Sequence, residues 1–269
     1  MTKKIILALA PTGGWGREHN NPIEPGDIAQ QVIACAKEGV SLVHLHARNS
    51  KGELTSDLSN FSQTVELIYK SCNVIIEAST GGLSNLTSRE RALPLQNEKV
   101  ELGSLNMGSL NFLDKVYINT VPDIQYWLQK MIKNNIKPSI EIFDTSNIII
   151  SNSFIKKGLV KPQYNFNFVF NYKWGMAFSL SLVEFLKSML PQESIWGAIF
   201  GESRDFSFHL QASLQGATMI RVGFEDSTIC NYGEAKSNLE LVKEIRRELE
   251  ILGFKSATPR EARKLLGIT

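Results

Sequence analysis

Eight times along this chain, a short apolar run is followed by a longer segment whose apolar residues recur at helical spacing. The runs cover residues 5–9, 40–46, 74–79, 102–107, 138–143, 164–170, 194–200 and 218–222. The helical segments cover residues 25–37, 58–71, 87–96, 121–134, 146–157, 177–189, 207–215 and 234–252. Eight β-then-α units of roughly 30 residues each predict an α/β chain folded as a (β/α)8 TIM barrel. No linker or low-complexity stretch divides the units, so residues 1–269 read as one catalytic domain. The competing arrangement is a doubly wound open sheet. It fits less well because no Gly-x-Gly-x-x-Gly turn follows the first strand.

Hydrophobic residues make up 43% and charged residues 21% of the 269, enough apolar surface for a sizeable core. A formal net charge of +2 implies no general attraction to nucleic acid or to an anionic membrane. The three cysteines, Cys35, Cys72 and Cys230, are widely spaced and form no Cys-x-x-Cys pair, which points to a reducing cytoplasm. The apolar run at 5–10 is too short for a membrane span and reads as a buried first strand rather than a signal peptide.

In a barrel, the residues just after each strand share one face, where active sites of this fold are built. Polar residues and glycines concentrate there: 11–14, 44–46, 79–82, Asn106, Glu141, Asp144, Asn171, Gly201 and 221–226. His44 and His46 are two of only four histidines. Standing at i and i+2 on one strand, they point to the same side, with Cα atoms about 7 Å apart, and can converge on one divalent ion, with zinc expected. Leu45 between them faces the helices. A catalytic zinc needs a third protein ligand. Glu225 after strand eight suits best because strand eight closes near strands one and two, and Glu141 is the alternative. Gly81 and Gly82 let backbone amides approach an anion. Lys161, Lys173 and Arg204 are candidate phosphate partners. His19 reads as an exposed loop residue, and His209 as a helical residue facing away from the mouth. The run at 164–170 alternates aromatic and polar residues, as a strand packed on its aromatic face does.

Five segments in this order, His-Leu-His-Ala-Arg (44–48), Ser-Thr-Gly-Gly (79–82), Ser-Leu-Asn-Met-Gly-Ser (104–109), Glu-Ile-Phe-Asp (141–144) and Arg-Val-Gly-Phe-Glu-Asp (221–226), resemble those of the β-keto acid cleavage enzymes, a family that includes 3-keto-5-aminohexanoate cleavage enzyme. The resemblance runs through essentially the whole chain. It implies a barrel that holds zinc through His44, His46 and Glu225. It implies that a β-keto acid and acetyl-CoA give acetoacetate and a new acyl-CoA. Asp226 would be the general base, Arg221 would orient and activate it, and Ser79, Asn106 and Glu141 would contact substrate. A homo-oligomer, dimeric or tetrameric, is also implied. One position departs from the pattern: Trp15, a candidate substrate-binding residue, stands where the aminohexanoate enzyme carries a glutamate for the substrate ammonium, which favours a neutral or apolar β-keto acid, with an aromatic seat for a cation as the alternative.

Two other readings compete. One keeps the metal without CoA, as an aldolase, lyase or hydrolase on the same fold. The other is a zinc-bound ligand sensor, which requires a closed four-ligand site. The acidic pair next to Arg221 speaks against the sensor, because a structural zinc needs no adjacent base.

Overall fold

The computed structural model of the chain describes residues 3–13 and 21–268. Eight parallel strands close into a barrel: β1 (Lys3–Leu9), β2 (Val40–Leu45), β3 (Ile75–Ala78), β4 (Leu102–Asn106), β5 (Lys137–Ile142), β6 (Tyr164–Phe170), β7 (Ser194–Phe200) and β8 (Met219–Val222). Closure comes from β8 pairing with β1, with Ile6 opposite Met219 and Leu9 opposite Val222. The helices α1 (Pro25–Lys37), α2 (Ser59–Ser71), α3 (Ser88–Arg91), α4 (Val121–Lys133), α5 (Thr145–Lys156), α6 (Leu180–Met189), α7 (Ser207–Leu214) and α8 (Asn238–Ile251) follow the strands in turn. This is the (β/α)8 barrel that the eightfold alternation predicts.

Strand alternation sorts the core into two layers. Ile5, Leu7, Leu9, Val43, Leu45, Phe166, Phe168 and Phe170 point outward and pack under the helices. Ile6, Ala8, Leu42, Ile75, Leu102 and Met219 point inward and fill the floor of the barrel. Above them the interior turns polar: Ser104, Ser139 and Asn167 are buried there, and Asn167 Nδ2 donates to Ser139 Oγ at 2.7 Å. A chemically active mouth therefore rests on an apolar floor.

The structure departs from the sequence expectations in several places. Residues 87–96 form only the short α3 and a 3-10 turn, Leu93–Gln96, because Pro94 has no N–H to continue a helix. Thr87 and Glu90 form a capping box at the start of α3. A hairpin of Leu110–Phe112 and Lys115–Tyr117 follows β4 and carries Tyr117 to the mouth. The helix expected at 234–252 starts only at Asn238, since Ser237 caps it, and Ile229–Cys230 pairs with Gly233–Glu234 before it. Nor is it the last helix. Phe254–Ser256 adds a strand beside the first residues of β1, and α9 (Pro259–Leu266) plugs the barrel floor with Ala262 and Leu266. Asn165 Nδ2 fastens that plug by donating to the Leu266 carbonyl at 3.0 Å. Among the described residues, no helix is long and apolar enough to cross a membrane.

Candidate metal centre and active site

β2 ends by pointing His44 and His46 into the mouth of the barrel. β8 contributes the third donor through a sharp bend at Gly223. There φ is +143°, and a Cβ would collide with the Ala10 carbonyl, so only glycine lets the chain cross β1 so closely. The Glu225 amide then donates to Ala10 O at 3.2 Å, which fixes Glu225 above the two histidines.

The three side chains offer ligand atoms that all lie within 4.8 Å of one another. His44 Nε2 and His46 Nε2 are 3.3 Å apart, His46 Nε2 and Glu225 Oε2 are 3.4 Å apart, and His44 Nε2 and Glu225 Oε1 are 3.7 Å apart. Zinc with bonds of about 2.0–2.1 Å places its ligand atoms about 3.3–3.4 Å apart on a tetrahedral face. The donor set therefore fits such an ion. Glu141, the alternative third ligand, is not in this group and instead lies 3.6 Å from Arg221 Nη1.

Charge makes the same demand. Glu77, Glu141, Glu225 and Asp226 surround the site, against the guanidiniums of Arg48 and Arg221. Four carboxylates against two guanidiniums leave room for a divalent cation. Burial pulls the His44 imidazole down, yet Glu225 and Glu77 outweigh it and raise the ring to about 9. Burial lowers His46, which keeps its ring neutral and able to act as a ligand. Burial also tends to raise the Glu225 carboxyl, but His44, Arg221 and His46 hold it well below the usual carboxylate range.

Glu77, on the inward face of β3, accepts from His44 Nδ1 at 2.6 Å. That contact holds a ring proton on Nδ1, so that a metal ion would take the place of the proton on Nε2, which faces His46 and Glu225. Sequence reading passed over Glu77, although a lone carboxylate inside the apolar run Ile75-Ile76-Glu77-Ala78 was a signal.

Arg221 reaches back from β8 to Asp226, with Nη2 donating to Oδ1 at 2.6 Å and Nε to Oδ2 at 2.9 Å. The same Nη2 donates to Glu225 Oε1 at 3.2 Å. Tyr172 also donates to Asp226 Oδ1, at 2.7 Å. Taken alone, the Arg221 guanidinium would lower the Asp226 carboxyl. In the structure the shift is upward, because burial, helped by Glu225, outweighs the arginine. Asp226 sits behind Arg221 rather than in the cavity wall, whereas Tyr172 lines the cavity.

That cavity, of about 530 Å3 out to its opening, brings together His44, His46, Ser79, Gly81, Gly82, Asn106, Glu141, Arg221 and Glu225 from five different strand ends. Leu83, Phe112, Phe143 and Val169 form an apolar wall. Burial raises the Glu141 carboxyl to about 7, against the pull of Arg221. The two glycine amides do not face an anion as expected: Gly81 N–H donates to Ser79 Oγ at 3.1 Å, and Gly82 N–H to the Tyr117 hydroxyl at 2.8 Å. An open cavity beside three ligands is the reverse of the closed site that a zinc-bound sensor requires.

Other candidates fall elsewhere. Trp15 and His19 lie outside the described residues. Arg48 is buried and donates to Thr12 Oγ1, to Gly52 O at 2.9 Å and to Pro22 O at 3.1 Å. Lys161 precedes β6 and so lies at the floor end of the barrel. Lys173 pairs with Asp114 at 2.7 Å on the surface. His209 packs against Phe200 and Phe206 beneath the site.

The family model for beta-keto acid cleavage enzyme matches residues 4–268. The 3-keto-5-aminohexanoate cleavage enzyme of Acetoanaerobium sticklandii is 34% identical over 273 residues, covering 99% of each chain. The 3-oxoadipate:acetyl-CoA acetyltransferase of Cupriavidus necator is 33% identical over 278 residues, covering 100% of this chain and 96% of that one. Among solved structures, a ternary complex of ObcA with a C4-CoA adduct and oxalate superposes with a TM-score of 0.80 over 92% of this chain and 67% of that one. At 18% identity, that likeness speaks for the barrel alone. A match of this kind from end to end, on a barrel whose mouth gathers the five segments, makes the chain a member of the beta-keto acid cleavage enzyme family.

Proposed function

We propose that the chain is a zinc-dependent acyltransferase that takes a β-keto acid and acetyl-CoA to acetoacetate and a new acyl-CoA. The carrying observation is that two imidazoles and a carboxylate bring ligand atoms within 4.8 Å of one another at the wall of a cavity that also holds Arg221 and Glu141. His44, His46 and Glu225 hold the ion. When bound, zinc supplies a Lewis acid that polarises a substrate carbonyl and stabilises negative charge developing on its oxygen.

The chain's own residues do the rest. Glu77 keeps the His44 ring in the tautomer that can act as a ligand. Arg221 grips Asp226 side-on, so the carboxylate cannot rotate away. Asp226 is the base that starts the reaction, and its raised carboxyl makes it a stronger base than an ordinary aspartate. Because Asp226 stands behind the wall, the proton travels through the Tyr172 hydroxyl, which lines the cavity and donates to Asp226. Ser79, Asn106 and Glu141 contact the substrate. The uncharged wall of Leu83, Phe112, Phe143 and Val169 suits an apolar substituent on the keto acid. A cytoplasmic site of action and a homo-oligomeric state belong to the same reading; the three unpaired cysteines support the first.

The test is turnover by zinc-loaded protein with acetyl-CoA and a panel of β-keto acids bearing apolar, acidic and cationic substituents, followed as acetoacetate. Acids with apolar substituents should react fastest. No turnover with any acid while zinc stays bound would remove the acyltransferase reading and leave the CoA-independent one.

A further inference from the structure

The Tyr117 hydroxyl is surrounded by donors. Gly82 N–H points at it from 2.8 Å and Asn106 Nδ2 from 2.9 Å, while Arg91 Nη2 stands 3.5 Å away. A phenol oxygen has two acceptor positions and one proton. With both positions occupied, the proton is directed away from all of these groups, and among the described residues none accepts it. The residue is buried and lines the cavity, and burial pushes its phenol up to about 12, so it meets a ligand as a donor. Ser79 follows the same logic: its Oγ accepts from Gly81 N–H, and its own proton is left for the cavity.

Gly81 marks where these groups converge. A Cβ there would strike the Tyr117 hydroxyl and lie 2.8 Å from Asn106 Nδ2 and 3.5 Å from Ser79 Oγ. The missing side chain keeps that space open. This part of the cavity presents neutral donors, with the Arg91 guanidinium behind the Tyr117 ring. A carboxylate placed there would be held by hydrogen bonds from neutral donors.

We propose that Tyr117 is a substrate-binding residue whose hydroxyl, beside that of Ser79, donates its proton to the carboxylate of the β-keto acid. The assignment rests on the β-keto acid reading above. The diglycine turn then acts at one remove: its amides orient two hydroxyls, and the hydroxyls bind the anion.

The experiment measures binding of acetoacetate and of uncharged acetoacetamide to zinc-loaded wild type and to Tyr117→Phe, with zinc content and thermal midpoint as controls. Wild type should prefer acetoacetate, and Tyr117→Phe should weaken acetoacetate about 10- to 100-fold while changing acetoacetamide little, as for a lost hydrogen bond to a charged group. Should the phenylalanine variant fail to fold, Tyr117→Met provides the same comparison. An equal loss for both ligands would mean that Tyr117 only supports the turn. An unchanged preference for acetoacetate would mean that its proton goes to Asn106. Either result overturns the assignment. Wild type that binds neither ligand overturns the β-keto acid reading itself, and the assignment falls with it.

Discussion

Replacing Glu77 tests whether the metal centre is built from the second layer outward. The carboxylate lies 2.6 Å from His44 Nδ1 and is 4% exposed, so water cannot replace it. Glu77→Gln keeps the shape and the acceptor oxygen but removes the charge. A buried hydrogen bond to a charged group contributes about 1.5–3 kcal/mol, and a neutral one about 1 kcal/mol. The difference, on the order of 1.4 kcal/mol, corresponds to about tenfold weaker zinc binding. Glu77→Asp keeps the charge and shortens the reach. If contact with the ring matters rather than the general negative field, Asp should weaken zinc at least as much as Gln. The assay is competition for zinc against a chromophoric chelator at fixed pH, with His46→Ala as the reference for a centre that has lost a ligand. Wild-type affinity in Glu77→Gln and Glu77→Asp would refute the orienting role. Wild-type affinity in His46→Ala would refute the centre.

Three further outcomes follow from other parts of the fold. Gly223→Ala places a methyl against the Ala10 backbone at a φ that L-residues avoid; it should cost on the order of 3 kcal/mol in denaturant unfolding and lower zinc affinity by displacing Glu225. Leu266→Ala, in the floor plug, should cost about 2–4 kcal/mol while leaving zinc affinity unchanged, since it lies at the opposite end from the centre. His209 is fully enclosed, and burial lowers its ring to about 3. With the folded value depressed below the unfolded one near 6.5, its contribution is complete above pH 6.5 and declines as pH falls toward 3, at about 1.4 kcal/mol per unit. His209→Gln should therefore flatten the loss of stability between pH 6 and 4, measured by denaturant unfolding. An unchanged slope would refute the assignment to this ring.

The barrel was legible because its signals are local. A period of two in the strands and a helical period between them fix the type of each element, and eight repeats leave few ways to close the sheet. His44 and His46 were readable for the same reason, since alternation alone makes them co-facial. What went unread depends on a single turn or on cooperation between distant residues. Thr258, Pro259, Glu261 and Gly267 are ordinary start and stop signals for a helix, and α9 was within reach of the sequence. Its role as a floor plug was not, because Ala262 and Leu266 meet Ile6, Leu42 and Met219 only once the barrel has closed.

The site divides along the same line. By itself the sequence determined which residue types stand at the strand ends, and hence that two imidazoles and nearby carboxylates face one mouth. The tertiary structure decided which carboxylate does what: Glu225 joins the histidines, Glu141 faces Arg221, Glu77 turns the His44 ring, and Asp226 withdraws behind Tyr172. It also turned the diglycine amides away from an anion and toward the hydroxyls of Ser79 and Tyr117. The physical reason is range. Periodicity acts along a few residues of one chain segment, whereas the direction of a hydrogen bond and the balance of buried charge depend on groups brought within a few ångströms from segments far apart in sequence.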